Sequence, residues 1–156
     1  MAPRRITPPD APPTPVEQRG EQLGLVFNRG RTWTSNSYLS LQAAEFALRH
    51  AASFDDAWRF HRRMFKAYFE DLDDIGDLET VVRIGADAGL DSDALRLSLT
   101  EGQQRERVDE GISWTKQIGV TAIPTFVFNE RFAMVGAQEL PAFRSIMERL
   151  GIQPRA

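Results

Sequence analysis

From Ser40 to Ala52 apolar residues recur at helical spacing, with Leu41, Ala44, Phe46, Ala47 and Leu48 forming one stripe. A second stripe follows. Ser53 is placed to cap it, and Asp55 and Asp56 fall in its first turn, where the helix dipole favours negative charge. Phe54, Trp58, Phe65 and Phe69 share one face, with Met64 close to them, which predicts an aromatic helix turned towards the core. The acidic connector from Asp71 to Gly76 leads to a helix opening at Asp77 and running through Val81, Val82 and Ile84 to Gly89. Asp91 caps a shorter helix holding Leu95 and Leu99, broken near Gly102. A longer one covers Gln103 to Ile118, with Val108, Ile112 and Ile118 facing inward and Trp114 partly buried. Gly119, free to take positive φ, closes it.

After Pro124 the period changes. Thr125–Phe128 and Phe132–Val135 read as strands, and Asn129, Glu130 and Arg131 turn between them, which predicts a hairpin. The last helix starts near Gln138, tolerates Pro141 in its first turn and turns Phe143, Ile146, Met147 and Leu150 inward. Upstream, six of the nine prolines fall between Pro3 and Pro15. Proline fixes φ and lacks an amide donor, so residues 1–20 are expected to be a disordered tail. Leu23–Phe27 is a short apolar run that could form a strand, and Asn28-Arg29-Gly30 is a turn. No repeat and no second domain is visible.

Composition narrows the chemistry. The 156 residues suit one domain, since domains run to about 100–200 residues. A formal net charge of -3 gives no reason to expect nucleic acid or an anionic membrane as partner. No apolar run approaches the roughly 18 residues of a membrane span. The opening M-A-P-R-R-I-T-P-P-D has charge without an apolar run behind it, so a cytoplasmic protein is expected. There is no cysteine, which excludes disulfides, thiolate metal sites and thiol nucleophiles within this chain. A calcium loop starting at Asp71 would need oxygen ligands where Ile75 and Val82 stand. His50 and His61 fall on different helices, with no ligand partner at the right spacing, and read as surface residues. Ser35, Ser37 and Ser40 have no base placed beside them by sequence. Arg59, Arg62, Arg63 and Lys66 make a solvated basic face. No catalytic residue and no metal ligand is assigned.

One segment is more specific. The run Gly119-Val120, two small residues, Ile123-Pro124-Thr125-Phe126-Val127-Phe128, a hairpin and then Gly136-Ala137-Gln138 resembles the C-terminal half of DsbA-like thioredoxin-fold proteins. The nearest likeness is to the FrnE-like branch, with relatives of 2-hydroxychromene-2-carboxylate isomerase. Asp74-Ile75-Gly76-Asp77-Leu78-Glu79, Ala86-Asp87-Ala88-Gly89-Leu90-Asp91 and Ser35-Asn36-Ser37 resemble stretches of that branch's helical insertion. The likeness runs over roughly residues 25–150. It implies an α/β, incomplete thioredoxin-like fold: mostly helical, with a helical insertion over about 40–118, a cis-Pro β hairpin and a C-terminal helix, the remainder covering about 119–151. It implies that Pro124 is cis and that Thr121, Ala122, Ile123 and Pro124 form a substrate-contact loop. The protein or glutathione-like substrate of such a loop is reached in the family beside a Cys-x-x-Cys turn, and this chain has no counterpart of that turn.

Three functions stay open. The first is a truncated or degenerate DsbA-like oxidoreductase, redox-inactive as this chain and without a cofactor. The second is a glutathione-dependent isomerase or transferase completed by another chain. The third is a non-enzymatic interaction module. A two-stranded hairpin is marginal alone, and open strand edges attract partners. The edge of residues 125–128 is therefore expected to be covered, either by Leu23–Phe27 as a substitute strand or by a second copy in a homodimer.

Overall fold

The central apolar stripes assemble four helices around one core. The computed structural model describes residues 2–3, 8 and 10–152; residues 1, 4–7 and 9 of the expected tail, and residues 153–156, lie outside the described residues. The chain divides into two compact units, Met1–Glu110 and Gly111–Ala156.

The first unit contains helices α1 (Pro15–Gln22), α2 (Tyr38–His50), α3 (Phe54–Phe69), α4 (Leu78–Asp87) and α5 (Ser92–Glu101), and the start of α6 (Arg105–Gln117). A short antiparallel pair joins β1 (Ala2–Pro3) to β2 (Trp33–Thr34), just ahead of α2. Ala43, Phe46 and Ala47 of α2 meet Phe60, Met64 and Ala67 of α3, with Val81 and Ile84 of α4 and Leu95 and Leu99 of α5. Three of these helices open on an acid or hydroxyl cap. Ser53, Asp77 and Asp91 accept hydrogen bonds from Asp56, Thr80 and Ala94 backbone N–H groups, relieving donors that have no intrahelical partner. Where α4 meets α5 the Leu95 side chain lies directly on the α4 backbone: a Cβ on Gly85 would collide with Leu95 Cδ2.

The aromatic face of α3 is a correction. The buried side of this helix is Ala57, Phe60, Met64 and Ala67, whereas Phe54 and Phe65 are 67% and 63% exposed and Trp58 is exposed as well. Phe69 is half-buried and packs edge-on against Phe27. At 3.6 residues per turn the two apolar stripes lie about a third of a turn apart. The sequence contains both; the small residues of α2 and the aliphatic face of α4 decide which one is enclosed.

The proline-rich tail is shorter than expected. Helix α1 starts at Pro15 behind a capping box: the Glu17 N–H donates to Thr14 Oγ1, and the Thr14 N–H donates to the Glu17 carboxylate at 2.6 Å. Pro15 suits the first helical position, where its missing N–H leaves no bond unmade. Arg29 then binds Glu17 through Nε at 3.0 Å and Nη2 at 2.9 Å.

Leu23–Phe27 forms no strand, so the substitute strand does not exist. Leu23, Gly24 and Leu25 close α1 instead. Leu25 N–H donates to Gly20 O and Gly24 N–H to Glu21 O, with Gly24 at φ +72°; this is a Schellman cap, and only glycine takes that φ without penalty. Phe27 is wedged against Gly20, whose missing side chain leaves room for the ring. Beyond it Asn28 and Arg31 clasp the end of α3. Asn28 N–H donates to Phe69 O, and Arg31 donates to Tyr68 O and Asp73 O. Arg31 is only 5% exposed and lies over the Tyr68 ring at 4.1 Å.

The second unit holds the rest of α6, a hairpin of β3 (Thr125–Phe128) and β4 (Phe132–Val135), and α7 (Leu140–Arg149). Phe126 pairs with Met134 and Phe128 with Phe132. Phe143 of α7 packs edge-on against Phe126 at 4.9 Å and Phe128 at 6.3 Å. Of the residues expected to face inward on α6, Val108 is buried and Ile112 half-buried, but Ile118 is exposed. None of the described residues from 111 to 152 is fully buried.

Candidate functional site

The loop expected to contact substrate is held at both ends by backbone bonds. Helix α6 ends in a Schellman cap: Gly119, at φ +74°, donates to Lys116 O at 3.1 Å, and Val120 N–H donates to Thr115 O at 2.9 Å. That cap turns the chain into Thr121. On the other side, Gly136 N–H donates to Pro124 O at 2.7 Å. Thr125 Oγ1 donates to Ala122 O at 2.6 Å, tying the loop to the start of β3. The Ile123–Pro124 peptide is cis.

Thr121, Ala122, Ile123 and Pro124 are all exposed, and Ile123 is 90% exposed. Ile123 is thus an aliphatic side chain held almost wholly in water on a loop fixed at both ends. No titratable group belongs to these four residues. A hollow of about 300 Å³ in the same unit is lined by Trp114, Ile118, Val127 and the turn from Glu130 to Ala133, and contains none of them.

The structure also brings together residues that sequence reasoning kept apart. In the first unit Ser35, Ser37, Ser40, His61 and Tyr68 line one cavity of about 390 Å³ between α2 and α3. Its walls include Leu41, Ala44, Phe60, Met64, Phe65 and Ile75. His61 is half-buried rather than on the surface, and burial pushes its pKa down, against a smaller opposing effect of Glu45. Ser40 Oγ donates to Ser37 O, while Ser35 Oγ is enclosed without a hydrogen-bond partner. The sequence carries one signal for this cavity: the small residues at Ser40 and Ala44, one turn apart, leave room on the helix face that also holds Leu41. Nothing local indicates that His61 would face it.

A mostly helical α/β chain with a hairpin entered through a proline loop and closed by a helix has the parts of a thioredoxin-type domain. Residues 14–148 match the DSBA-like thioredoxin domain, and the chain belongs to that family. It superposes on the probable DsbA oxidoreductase SCO1869 of Streptomyces coelicolor with a TM-score of 0.74 at 19% identity, covering 90% of this chain and 60% of that one. At that identity the likeness concerns fold. It is also 21% identical over 118 residues to the uncharacterized protein YwbO of Bacillus subtilis (strain 168), covering 75% of this chain and 58% of that protein. The chain thus spans 58–60% of the length of these relatives.

Proposed function

We propose that this chain is a DsbA-like domain that performs no thiol–disulfide exchange by itself and presents Thr121, Ala122, Ile123 and Pro124 to a protein or glutathione-like substrate. The observation that carries the reading is a domain of this family without a single cysteine. Disulfide exchange requires a thiolate to attack sulfur, and no hydroxyl or imidazole of this chain replaces it. The exposed Ile123 ledge supports the second half of the reading. A chain of this kind contributes a contact surface, and any sulfur chemistry comes from the bound thiol compound or another chain.

The test is insulin reduction by dithiothreitol and, separately, turnover of glutathione disulfide. Rates equal to the protein-free control are expected in both, and turnover above it overturns the redox-silent reading. Binding is measured with an extended, unfolded polypeptide and with glutathione. Ile123→Asp is expected to weaken whichever binds by about fivefold or more, roughly the loss of one apolar contact of 1 kcal/mol. Glutathione binding at micromolar strength would move the reading towards the glutathione-dependent isomerases and transferases. The hairpin adds a partner: we place a second copy of the chain on the open edge of β3, because none of this unit's described residues is fully buried and two strands are marginal alone.

A further inference from the structure

We infer that the contact loop is completed by a second copy of the chain: β3 pairs antiparallel with the same strand of the partner, and the partner's Arg131 then stands beside Ile123 to hold a carboxylate of the bound peptide. Such a site rests on the reading of Thr121–Pro124 as a contact loop and of a second copy on β3, as proposed above. It adds the register of the two strands and the residue that the partner supplies.

The register follows from which backbone groups β4 leaves free. Pro124 O accepts from Gly136 N–H, so these residues face each other as a hydrogen-bonded pair. Bonded and non-bonded pairs alternate along an antiparallel ladder. Phe126 with Met134 and Phe128 with Phe132 are therefore the bonded pairs of the hairpin, and Thr125 and Val127 turn their N–H and C=O groups to the open edge. A two-fold axis makes each residue meet on the partner the residue that meets it in return, and identical strand edges satisfy this only when antiparallel. With the axis at Phe126, Thr125 lies against the partner's Val127, and every outward N–H and C=O of both strands is engaged. Facing residues of a ladder point to the same side of the sheet, and this register keeps that phase. With the axis at Val127, Thr125 would face the partner's Asn129, where a φ of +49° has already left the strand.

Paired about Phe126, Ile123 lies opposite the partner's Asn129, where the turn begins. Asn129, Glu130 and Arg131 are exposed, and among the described residues the side chains of Glu130 and Arg131 have no hydrogen bond or ion pair. Thr121, Ala122, Ile123 and Pro124 carry no charge, so a free guanidinium brings the loop a group it lacks. Arginine grips a carboxylate through paired N–H donors. Glu130 has the opposite sign and repels a carboxylate, so the contact is given to Arg131 alone.

The probes are glutathione and a short unstructured peptide with a free C-terminal carboxylate, each titrated calorimetrically into the full chain beside its carboxyl-blocked form. Arg131→Ala is expected to weaken the carboxylate form of whichever binds roughly tenfold, the scale of a charge-assisted hydrogen bond, and to leave the blocked form within about twofold. Mixing two variants tests the partner's part. In a mixed dimer of Ile123→Asp and Arg131→Ala chains, one site carries both substitutions and the other carries neither. After the copies exchange, about a quarter of all sites should recover the unmodified affinity, whereas a site built within one chain recovers none. In the unmodified protein, dimers of one isotope-labelled and one unlabelled chain should give NOEs between backbone protons of Thr125 and the partner's Val127. The proposal is overturned if mixing restores no site, if those NOEs are absent, or if Arg131→Ala leaves carboxylate binding unchanged or weakens both forms alike. Those results, with a probe bound by the unmodified protein, leave Thr121–Pro124 as a contact loop and remove only the partner's Arg131. If neither probe binds the unmodified protein, both readings fall together.

Discussion

Glu17 shows how one side chain can extend a fold into a stretch that composition assigns to a tail. Its pKa is lowered from 4.5 to about 2, chiefly by the hydrogen bond from Arg29 and then by those from Thr14. A carboxylate depressed in the folded state contributes stability above its unfolded value, and that contribution is lost as pH falls through the folded value. The α1 clasp should therefore be complete above about pH 4.5 and fade towards pH 2. Amide exchange in Gln18–Gln22 measures this directly. Glu17→Gln should lower protection at neutral pH and flatten the dependence between those limits. The hairpin turn offers a second residue-scale test. Asn129 and Glu130 both take positive φ, at +49° and +54°, and Arg131 N–H donates to Phe128 O. Positive φ at both central residues matches the twist of a hairpin, and asparagine tolerates it. A glutamate there has a Cβ against the following carbonyl, at about 1–2 kcal/mol. Glu130→Gly is expected to raise stability by up to about 1 kcal/mol in a denaturant titration, once the extra freedom of glycine in the unfolded chain is subtracted.

Between elements, two glycines in helices separate packing from propensity. Gly85 sits where α4 meets α5, and Leu95, the residue a new Cβ would strike, is itself fully buried. Gly85→Val should destabilise the protein by about 1–3 kcal/mol through overpacking. Gly111 lies within α6 with nothing within 4 Å of its would-be Cβ. Gly111→Ala should instead stabilise by roughly 0.5–1 kcal/mol from helix propensity. Thermal melts of the two variants check the pair, and equal effects would contradict the tight seat of Leu95 on Gly85. Helix α3 shows the limit of periodicity at this scale. Its amphipathic spacing specified a helix with the right cap at Ser53, but it carries two apolar stripes, and spacing alone ranks the aromatic one first. The enclosed stripe is the one whose side chains fit between α2 and α4.

For the whole molecule, the open question is what covers the apolar surface left outside. In the second unit Ile123, Val135 and Leu140 are exposed, and among the described residues β3 pairs only with β4. An apolar, unpaired strand edge favours association. Sedimentation at micromolar concentration is expected to give a dimer that Val127→Lys, a charge on β3, converts to monomer. A well-folded monomer before substitution would count against the second copy. Leu23–Phe27 forms no strand; it closes α1 and packs Phe27 against Phe69.

The segment from Gly119 to Gln138 was legible because its signals are local. A glycine ends a helix, a proline opens a strand, a polar turn joins two apolar runs, and each depends on φ preferences of residues adjacent in the chain. The helices and their caps were legible for the same reason, and Thr14-Pro15-Val16-Glu17 held a capping box that the surrounding prolines masked. Tertiary structure alone decided which face of α3 is buried. It alone carried Arg31 to the end of α3, 37 residues away at Tyr68, and placed His61 and Ser35 beside one cavity. Those outcomes depend on competition between surfaces for a limited interior, and a stripe read along one helix says nothing of what its neighbours offer in return.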